Sequence, residues 1–474
     1  MKVAPDFLRD FLMSKSPNAA VNNAVAPDAA LLRPFPELPK KPFLGSFPYM
    51  ALKNGALPFY LQSRRTHGDV FKLNYTPWFE WYFVAHPDNV ERVLHGNYKN
   101  FPKGILWSRL KAVLGDGLLT SDGDKWQHHR RAVQTHFHRK YYNEYSDAML
   151  PSIARMKTRW QSKIGQSFDI TGEMMRLTLC NASVSLFGLD LDDQADKIGD
   201  DLAYALDYVH AGVFRPLNSR ARSKFNRSMR GLNLQIKRII EKRRHLEEGE
   251  EPQDLLQTLL TLQGTDGNKL TSRQLHDEMM TFIFTGHETT AIGLSWMWYL
   301  LSLHPQAAAK LHEEIDRVLD GRAPTHDDLP DLPYTKMVFQ EAMRLYPPVW
   351  GVARQTVKDE EIGGFHIPAN RVISVFPYVT HRHPDFWPNP EAFEPERFAP
   401  ENSVGRPKYA YFPFGGGARQ CIGNQFAMHE AILVTASVAQ NYRLDVVPGH
   451  PVEAMSATTL RPRHGILMTL HERN

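Results

Sequence analysis

A mainly α-helical fold with a small β-sheet portion is predicted by three features of this 474-residue sequence. From about Trp126 to Tyr346 the patterns are mostly helical. Two earlier stretches, VFKLNY (Val70 to Tyr75) and EWYFVAH (Glu80 to His86), alternate as short strands do. Between Thr271 and Pro305 lies a run whose middle, MMTFIFTGHETTAIGLSWMWYLL, is apolar nearly all round, as a helix buried on every side must be.

Size and charge frame those elements. At roughly 150 residues per domain, length alone would give about three domains, but no Gly/Ser linker, repeat or low-complexity tract divides the chain. One domain over residues 33–474 is therefore expected, preceded by an N-terminal extension, 1–32, that is poorly structured or peripheral. With 56 Lys and Arg against 52 Asp and Glu, a formal charge of +4, the balance calls for no nucleic-acid partner. Cys180 and Cys421 are the only thiols, so no disulfide framework is expected and the setting is read as cytoplasmic, with peripheral contact at a membrane surface left open. The opening MKVAPDFLRDFLMSKS has neither the apolar run of a signal peptide nor the ~20 residues that span a bilayer, so no transmembrane segment is expected there. A monomer is the expected state.

In chain order, the prolines of RPFPELPKKPFLGSFP (Arg33 to Pro48) deny that stretch a helix. After the two strand stretches, WQHHRR places Trp126 and Arg130 one turn apart. The long helix opens at TSRQ, where Thr271 as N-cap and Gln274 make a capping box; at ~1.5 Å per residue it reaches roughly 50 Å before Pro305. Polar residues at its centre need a reason: Thr285, His287, Glu288, Thr289 and Thr290 surround Gly286. Glycine there costs about 1 kcal/mol against alanine, and threonine hydroxyls bond back one turn and bend the rod, so a notch is expected. His287 and Glu288 begin the zinc motif HExxH, yet the second histidine position holds Ala291, which argues against a zinc protease. Read alone, TGHETT also fits a kinked structural helix.

Next, LPYTKMVFQEAMRLYPPV reads as a helix stopped by Pro347 and Pro348, with Glu341 and Arg344 on one face. Such a pair is ordinarily a weak surface salt bridge. Here Val338, Phe339, Met343 and Leu345 leave little exposed face, and FEPERF supplies Arg397 further on, so a buried carboxylate shared by two guanidiniums is expected to fix a loop.

The loop FGGGARQCIG (Phe414 to Gly423) surrounds a rare cysteine with glycines. The NQFAMHEAILVTASVAQ helix begins just after Cys421, and backbone N–H groups at a helix start lower a thiol pKa, which favours a metal-binding thiolate. Glycines 415, 416, 417 and 423 would let the backbone pass something flat and bulky without Cβ clashes, and Arg419 could pair with an anionic substituent on it. One thiolate cannot hold zinc or an iron–sulfur cluster, which need about four protein ligands, but it suffices as an axial ligand of haem. An ordinary turn or a phosphate cradle is the alternative, and the cradle lacks its GK[ST] ending.

At this point the sequence resembles the cytochromes P-450, haem-thiolate monooxygenases, from about Pro34 to Leu470. FGGGARQCIGNQFA fits the family's haem loop at every fixed position, TGHETT its oxygen-activation motif, EAMR its ExxR motif, PERF the arginine that completes that charged triad, and WQHHRR its propionate-holding helix. The resemblance implies the cytochrome P-450 fold, with haem b (iron protoporphyrin IX) between the long central helix and the cysteine loop. It implies Cys421 as the iron ligand, and Phe414 and Gly423 beside the cofactor. Trp126, Arg130 and Arg419 are implied as propionate contacts, with Arg354 in VARQT a further candidate. Glu288 and Thr289 match the acid and alcohol pair that delivers protons during oxygen activation, while Thr285 stands where the family usually has Ala or Gly.

By the same layout the substrate wall draws on Leu106, Trp107 and Leu110, on Phe282, Thr285 and Gly286, on Val349, Trp350 and Val352, and on Thr458 and Leu460. That set favours a lipophilic substrate such as a fatty acid, terpenoid or polyketide. Arg215, Arg220 and Arg222 near the expected entrance read as a solvated helix face or an attraction for a carboxylate. His128-His129 and His381-Arg382-His383 read as surface or haem-edge polar groups rather than metal sites. No flavin or ferredoxin domain precedes the terminal HERN, so a separate ferredoxin or flavodoxin with its NAD(P)H-dependent reductase is expected, docking near Arg139, Lys140 and Arg419. A haem-thiolate isomerase, dehydratase or peroxygenase, or a non-catalytic haem protein, would share the loop without needing Glu288 and Thr289.

Overall fold

The computed structural model of the chain describes residues 56–76, 79–211, 219–247, 252–264 and 267–473. The 1–32 extension, the Pro-rich 33–48 stretch and Arg215 lie outside them. The principal elements are β1 (Val70–Thr76), β2 (Phe79–Val84), α1 (Gly123–Gln134), α2 (Tyr142–Gln161), α3 (Ile170–Phe187), α4 (Ala195–Ala211), α5 (Ser219–Arg244), α6 (Ser272–Leu303), α7 (Pro305–Leu319), α8 (Pro333–Leu345), β3 (Val352–Gln355), β4 (Val372–Val375), α9 (Asn424–Ala439), β5 (Tyr442–Val446), β6 (Ala454–Ser456), β7 (Leu460–Pro462) and β8 (Leu467–Glu472).

α6 starts where its capping box places it. The Thr271 hydroxyl accepts from the Gln274 N–H at 3.2 Å, and Gln274 Oε1 accepts from the Thr271 N–H at 2.8 Å, so two otherwise orphaned donors are satisfied. Pro305, at the start of α7, turns the chain away after Leu303. The 32 residues of α6 make a rod of ~48 Å through the largest apolar core, with α3, α8 and α9 against it. α3 comes closest at the notch. Thr178 Oγ1 donates to the His287 carbonyl at 3.0 Å, and a Cβ on Gly286 would stand 3.1 Å from that of Ala182. Gly286 therefore admits the neighbouring helix, a packing reason that its place in the expected substrate wall did not include.

β1, β2, β4 and β3 form a four-stranded sheet in that order, with β2 and β4 parallel (Trp81 opposite Val372) and the other pairs antiparallel. A smaller core of Val70, Tyr82, Ile373, Tyr409 and Phe412 ties this sheet to the chain leading into the cysteine loop. At the other end β8 pairs with β5 and with the short strand Ser167–Asp169, and β6 with β7 makes a hairpin. Cys180 and Cys421 are both free, and among the described residues no helix is long and apolar enough to cross a membrane.

Most of the histidine clusters are not surface groups. His381 and His383 have no exposure and Arg382 little. His381 Nε2 accepts from the Phe412 N–H at 2.9 Å, His383 meets Asp69 at 3.0 Å and Arg382 meets Glu391 at 3.0 Å, so the trio staples the sheet to the loop region. His129 is buried against Glu278 of α6 at 2.6 Å, whereas half-buried His128 reaches the Gln263 carbonyl.

Candidate haem and oxygen-activation site

The base of the site is set by a charged core. Glu341 and Arg344, both fully buried on α8, meet in a bidentate pair at 2.7 and 2.8 Å. Arg344 also donates to the carbonyls of His381, Pro390 and Ala392 at 2.9, 2.6 and 2.8 Å, so one guanidinium gathers three points of the chain ahead of the cysteine loop. Arg397 stands further out, 3.4 Å from Glu341 and 2.9 Å from Glu394.

From that base the loop runs Phe412 to Cys421, closed by the Cys421 N–H donating to the Phe414 carbonyl at 2.9 Å. Gly415 and Gly417 take φ of 69° and 64°, which side chains disfavour. Two of the glycines make room for protein rather than for a flat ligand. A Cβ on Gly417 would fall 2.0 Å from the Leu94 carbonyl oxygen, and one on Gly416 would fall 2.3 Å from the Tyr409 ring. Gly423 directs its N–H at the Cys421 sulfur just before α9 begins.

Cys421 combines an exposed side chain with a thiol shielded from bulk water, as expected for a residue lining an internal cavity. Burial pushes the thiol up, and the Gly423 N–H and Arg130 pull it down only in part. The low thiol pKa expected from the helix start is therefore absent in the protein alone. A bound metal cation would deprotonate a coordinating thiol outright.

Beside the cysteine lies an excess of positive charge. Arg419 stacks on the Trp126 ring at 3.5 Å, pairs with Asp122 and donates to the Ser121 carbonyl at 3.1 Å. Arg354, on β3, is buried; desolvation and then Arg419 lower its pKa to about 10. Buried Lys103 donates to the Ser121 carbonyl at 2.8 Å and is pushed down to about 7 by burial and then by Arg419. Arg130 faces Cys421, and among the described residues no carboxylate pairs with it. Of these four basic groups only Arg419 has a carboxylate partner among the described residues, and Lys103, at about 7, is only partly charged at neutral pH. A flat dianion carrying a thiolate-binding metal, as haem is, fits this arrangement. Lys103 escaped sequence reading because the lysine in NFPKG carries no motif.

On α6 the notch keeps accessible surface at Thr285, Gly286 and Thr289 while His287, Glu288 and Thr290 are buried. Thr285 Oγ1 donates to the Thr281 carbonyl at 2.8 Å and Thr289 Oγ1 to the Thr285 carbonyl at 3.1 Å. Glu288 turns away toward the β6–β7 turn, where its Oε1 accepts from the Thr459 hydroxyl at 2.6 Å. Burial pushes its pKa up, against the pull of Thr459 and then Arg461. Among the expected wall residues, Leu106, Trp107, Leu110, Val349, Trp350, Val352 and Thr458 keep accessible surface. Phe282 and Leu460 do not: Phe282 stacks on Phe137 at 6.2 Å in the core, and Leu460 is pinned by Pro348 and Trp296 through its backbone.

The chain as a whole is similar to known proteins. The chain is 34% identical over 421 residues, 86% of its length and 88% of the other's, to cyclooctatin synthase of Streptomyces melanosporofaciens. It is 33% identical, over 84% of its length and 87% of the other's, to cyclooctat-9-en-7-ol 5-monooxygenase of the same organism. The crystal structure of the cytochrome P-450DA haem domain superposes with a TM-score of 0.85 at 27% identity, covering 94% of this chain and 99% of that one. Since the cytochrome P-450 family pattern also matches residues 35–470, this chain belongs to the cytochrome P-450 family and is a haem-dependent monooxygenase.

Proposed function

We propose that the chain oxygenates a lipophilic substrate of the terpenoid class, ahead of a fatty acid or polyketide, in the cavity between Cys421 and the α6 notch. Electrons would come from a separate ferredoxin or flavodoxin and its NAD(P)H-dependent reductase. The observation that carries the reading is the accessible surface at Thr285, Gly286 and Thr289, in the middle of an otherwise buried helix, together with an exposed Cys421 that Arg130 and Arg419 accompany. A relative named for cyclooctat-9-en-7-ol, an alkenol skeleton with one polar group, and the apolar wall of Leu106, Leu110, Val349 and Val352 both support a substrate of low polarity.

In this reading Cys421 Sγ would hold the iron, with Phe414 and Gly423 alongside. Trp126, Arg130, Arg354, Arg419 and Lys103 would hold the propionates. Bound haem supplies dioxygen activation, with a thiolate ligand that raises electron density at the metal. The chain supplies protons in a cavity otherwise short of donors. Thr289 spends its hydroxyl proton on the Thr285 carbonyl and keeps lone pairs with which to order a water. Glu288, its pKa raised by burial, can carry a proton that a carboxyl in water would have lost. Thr289→Ala should leave the thiolate spectrum intact and lower product formed per NADPH while peroxide release rises. Unchanged coupling in that variant would return Thr289 to a purely structural role in a kinked helix.

A further inference from the structure

We propose that the outer face of α5 docks the protein on an anionic lipid surface. The 26 residues of α5 expose nine Lys and Arg side chains and one acid, Glu241, in a chain whose formal charge is only +4. The inner side of the helix, with Leu232, Ile236, Ile239 and Ile240, is occupied in packing. On the outer side stands Leu234, 49% exposed, with Arg230 and Arg238 one turn before and after it, Lys237 beside it and Arg227 two turns back. Among the described residues the nine cations make a single ion pair, Lys237 with Glu241 at 3.6 Å.

Cations ringing an exposed aliphatic side chain match the boundary between headgroups and acyl chains, where phosphates meet the cations and the leucine leaves water. A convex rod of ~39 Å meets a planar charged surface along its whole length, whereas a globular acidic protein would cover part of it and gain little from Leu234. The helix is linked through α4 to the strand that follows Thr458 and Thr459. α5 packs on α4 through Phe225 and Tyr208, whose rings stack at 4.4 Å, and Asp207 of α4 pairs with Arg461 of β7. Delivery of a lipophilic substrate from the bilayer would follow from the proposed function; the docking itself does not depend on it.

The test is co-sedimentation of the purified holoprotein with vesicles of phosphatidylcholine alone and of equal parts phosphatidylcholine and phosphatidylglycerol. Binding to the anionic vesicles, absent with the neutral ones and falling as salt rises, is expected. Each cation near such a surface is worth about fivefold, so the quadruple variant R227Q/R230Q/K237Q/R238Q should bind about a hundredfold or more weakly, and Leu234→Gln several-fold more weakly. Neutralising four exposed cations elsewhere, Lys310, Lys336, Arg443 and Arg463, should change little. All five positions on α5 are exposed, and retention of the haem spectrum checks that each variant is folded. Failure of the wild type to bind anionic vesicles, or equal losses in the two quadruple variants, overturns the proposal. So does retention on an immobilised acidic ferredoxin that depends on these residues while vesicles are ignored, which would make the face a protein-docking one. A substrate of another class would leave the vesicle result unchanged and correct only the function.

Discussion

Removing Arg344 should cost far more than its spacing from Glu341 on one helix would suggest. An exposed pair at that spacing is worth a few tenths of a kcal/mol. Here both side chains are at 0% exposure, and Arg344→Ala takes away two hydrogen bonds to a buried carboxylate and three to carbonyls. What remains on Glu341 is the Glu394 N–H at 2.9 Å and the more distant Arg397. Stranding a buried charge in this way costs about 3–5 kcal/mol, a large fraction of the roughly 5–15 kcal/mol that holds a domain together. Arg344→Lys should recover only part, because one ammonium cannot serve two carboxylate oxygens and three carbonyls at once. Because the cost lies mainly in the stranded carboxylate, Glu341→Gln added to Arg344→Ala should do less damage than the two single losses summed. Urea unfolding followed by tryptophan fluorescence, with haem retention measured in parallel, gives these quantities. A loss below about 1 kcal/mol for Arg344→Ala, or strict additivity in the double variant, would refute the argument from burial.

Cys421→Ser should abolish the red-shifted Soret band of the reduced carbon monoxide complex, and Cys180→Ser, at a buried thiol beside Asp192, should keep it. Burial raises the Glu430 carboxyl on α9 from the ordinary 4.5 to about 8, so the folded state holds this proton more tightly than the unfolded chain. Its contribution to stability is fully present below pH 4.5 and lost as pH rises toward 8; Glu430→Gln should flatten that part of the pH profile by unfolding titration. Arg139→Glu with Lys140→Glu, both exposed, should raise KM for an acidic ferredoxin at low ionic strength, with the difference shrinking as salt screens the encounter.

What the sequence disclosed and what it hid divide along the distance over which each feature is decided. The α6 cap was legible because Thr271 and Gln274 are three residues apart, and the helix centre because its apolar run has no polar side. The strand stretches beginning at Val70 and Glu80 are legible from alternation, the second running Phe79–Val84 in the fold, although not their neighbour β4, which arrives from some 290 residues away. Glu341 and Arg344 advertised themselves by one-turn spacing, but nothing local told that the guanidinium also collects three carbonyls from the 381–392 stretch. The loop glycines were read as space for a flat ligand, whereas Gly416 and Gly417 answer to Tyr409 and Leu94, partners that no motif names. Lys103 and Thr459 were missed for the same reason. Each owes its place to a contact made after the chain folds back, across 171 residues in the case of Thr459 and Glu288.

That last contact bears on how the site works as a unit. Thr458 keeps accessible surface while Thr459, the next residue in the same turn, is buried and donates its hydroxyl to Glu288. The proposed substrate wall at Thr458 and the carboxyl on α6 are therefore tied to one two-residue step of backbone between β6 and β7. The turn is fixed at both flanks, by the Trp350 indole on the Ala457 carbonyl at 2.9 Å and the Trp296 indole on the Leu460 carbonyl at 2.8 Å, so it has little freedom to absorb pressure on Thr458 without moving Thr459. The two sides of the interior are also unlike in charge. Arg130, Arg354 and Arg419, with a partly charged Lys103 and one carboxylate partner among them, lie on the Cys421 side, and an acid whose ionised form is disfavoured by burial stands behind the notch. A charge distribution of that sense would favour anionic groups on the cysteine side and leave the notch side to neutral, apolar matter, which suits the haem and the lipophilic substrate proposed above.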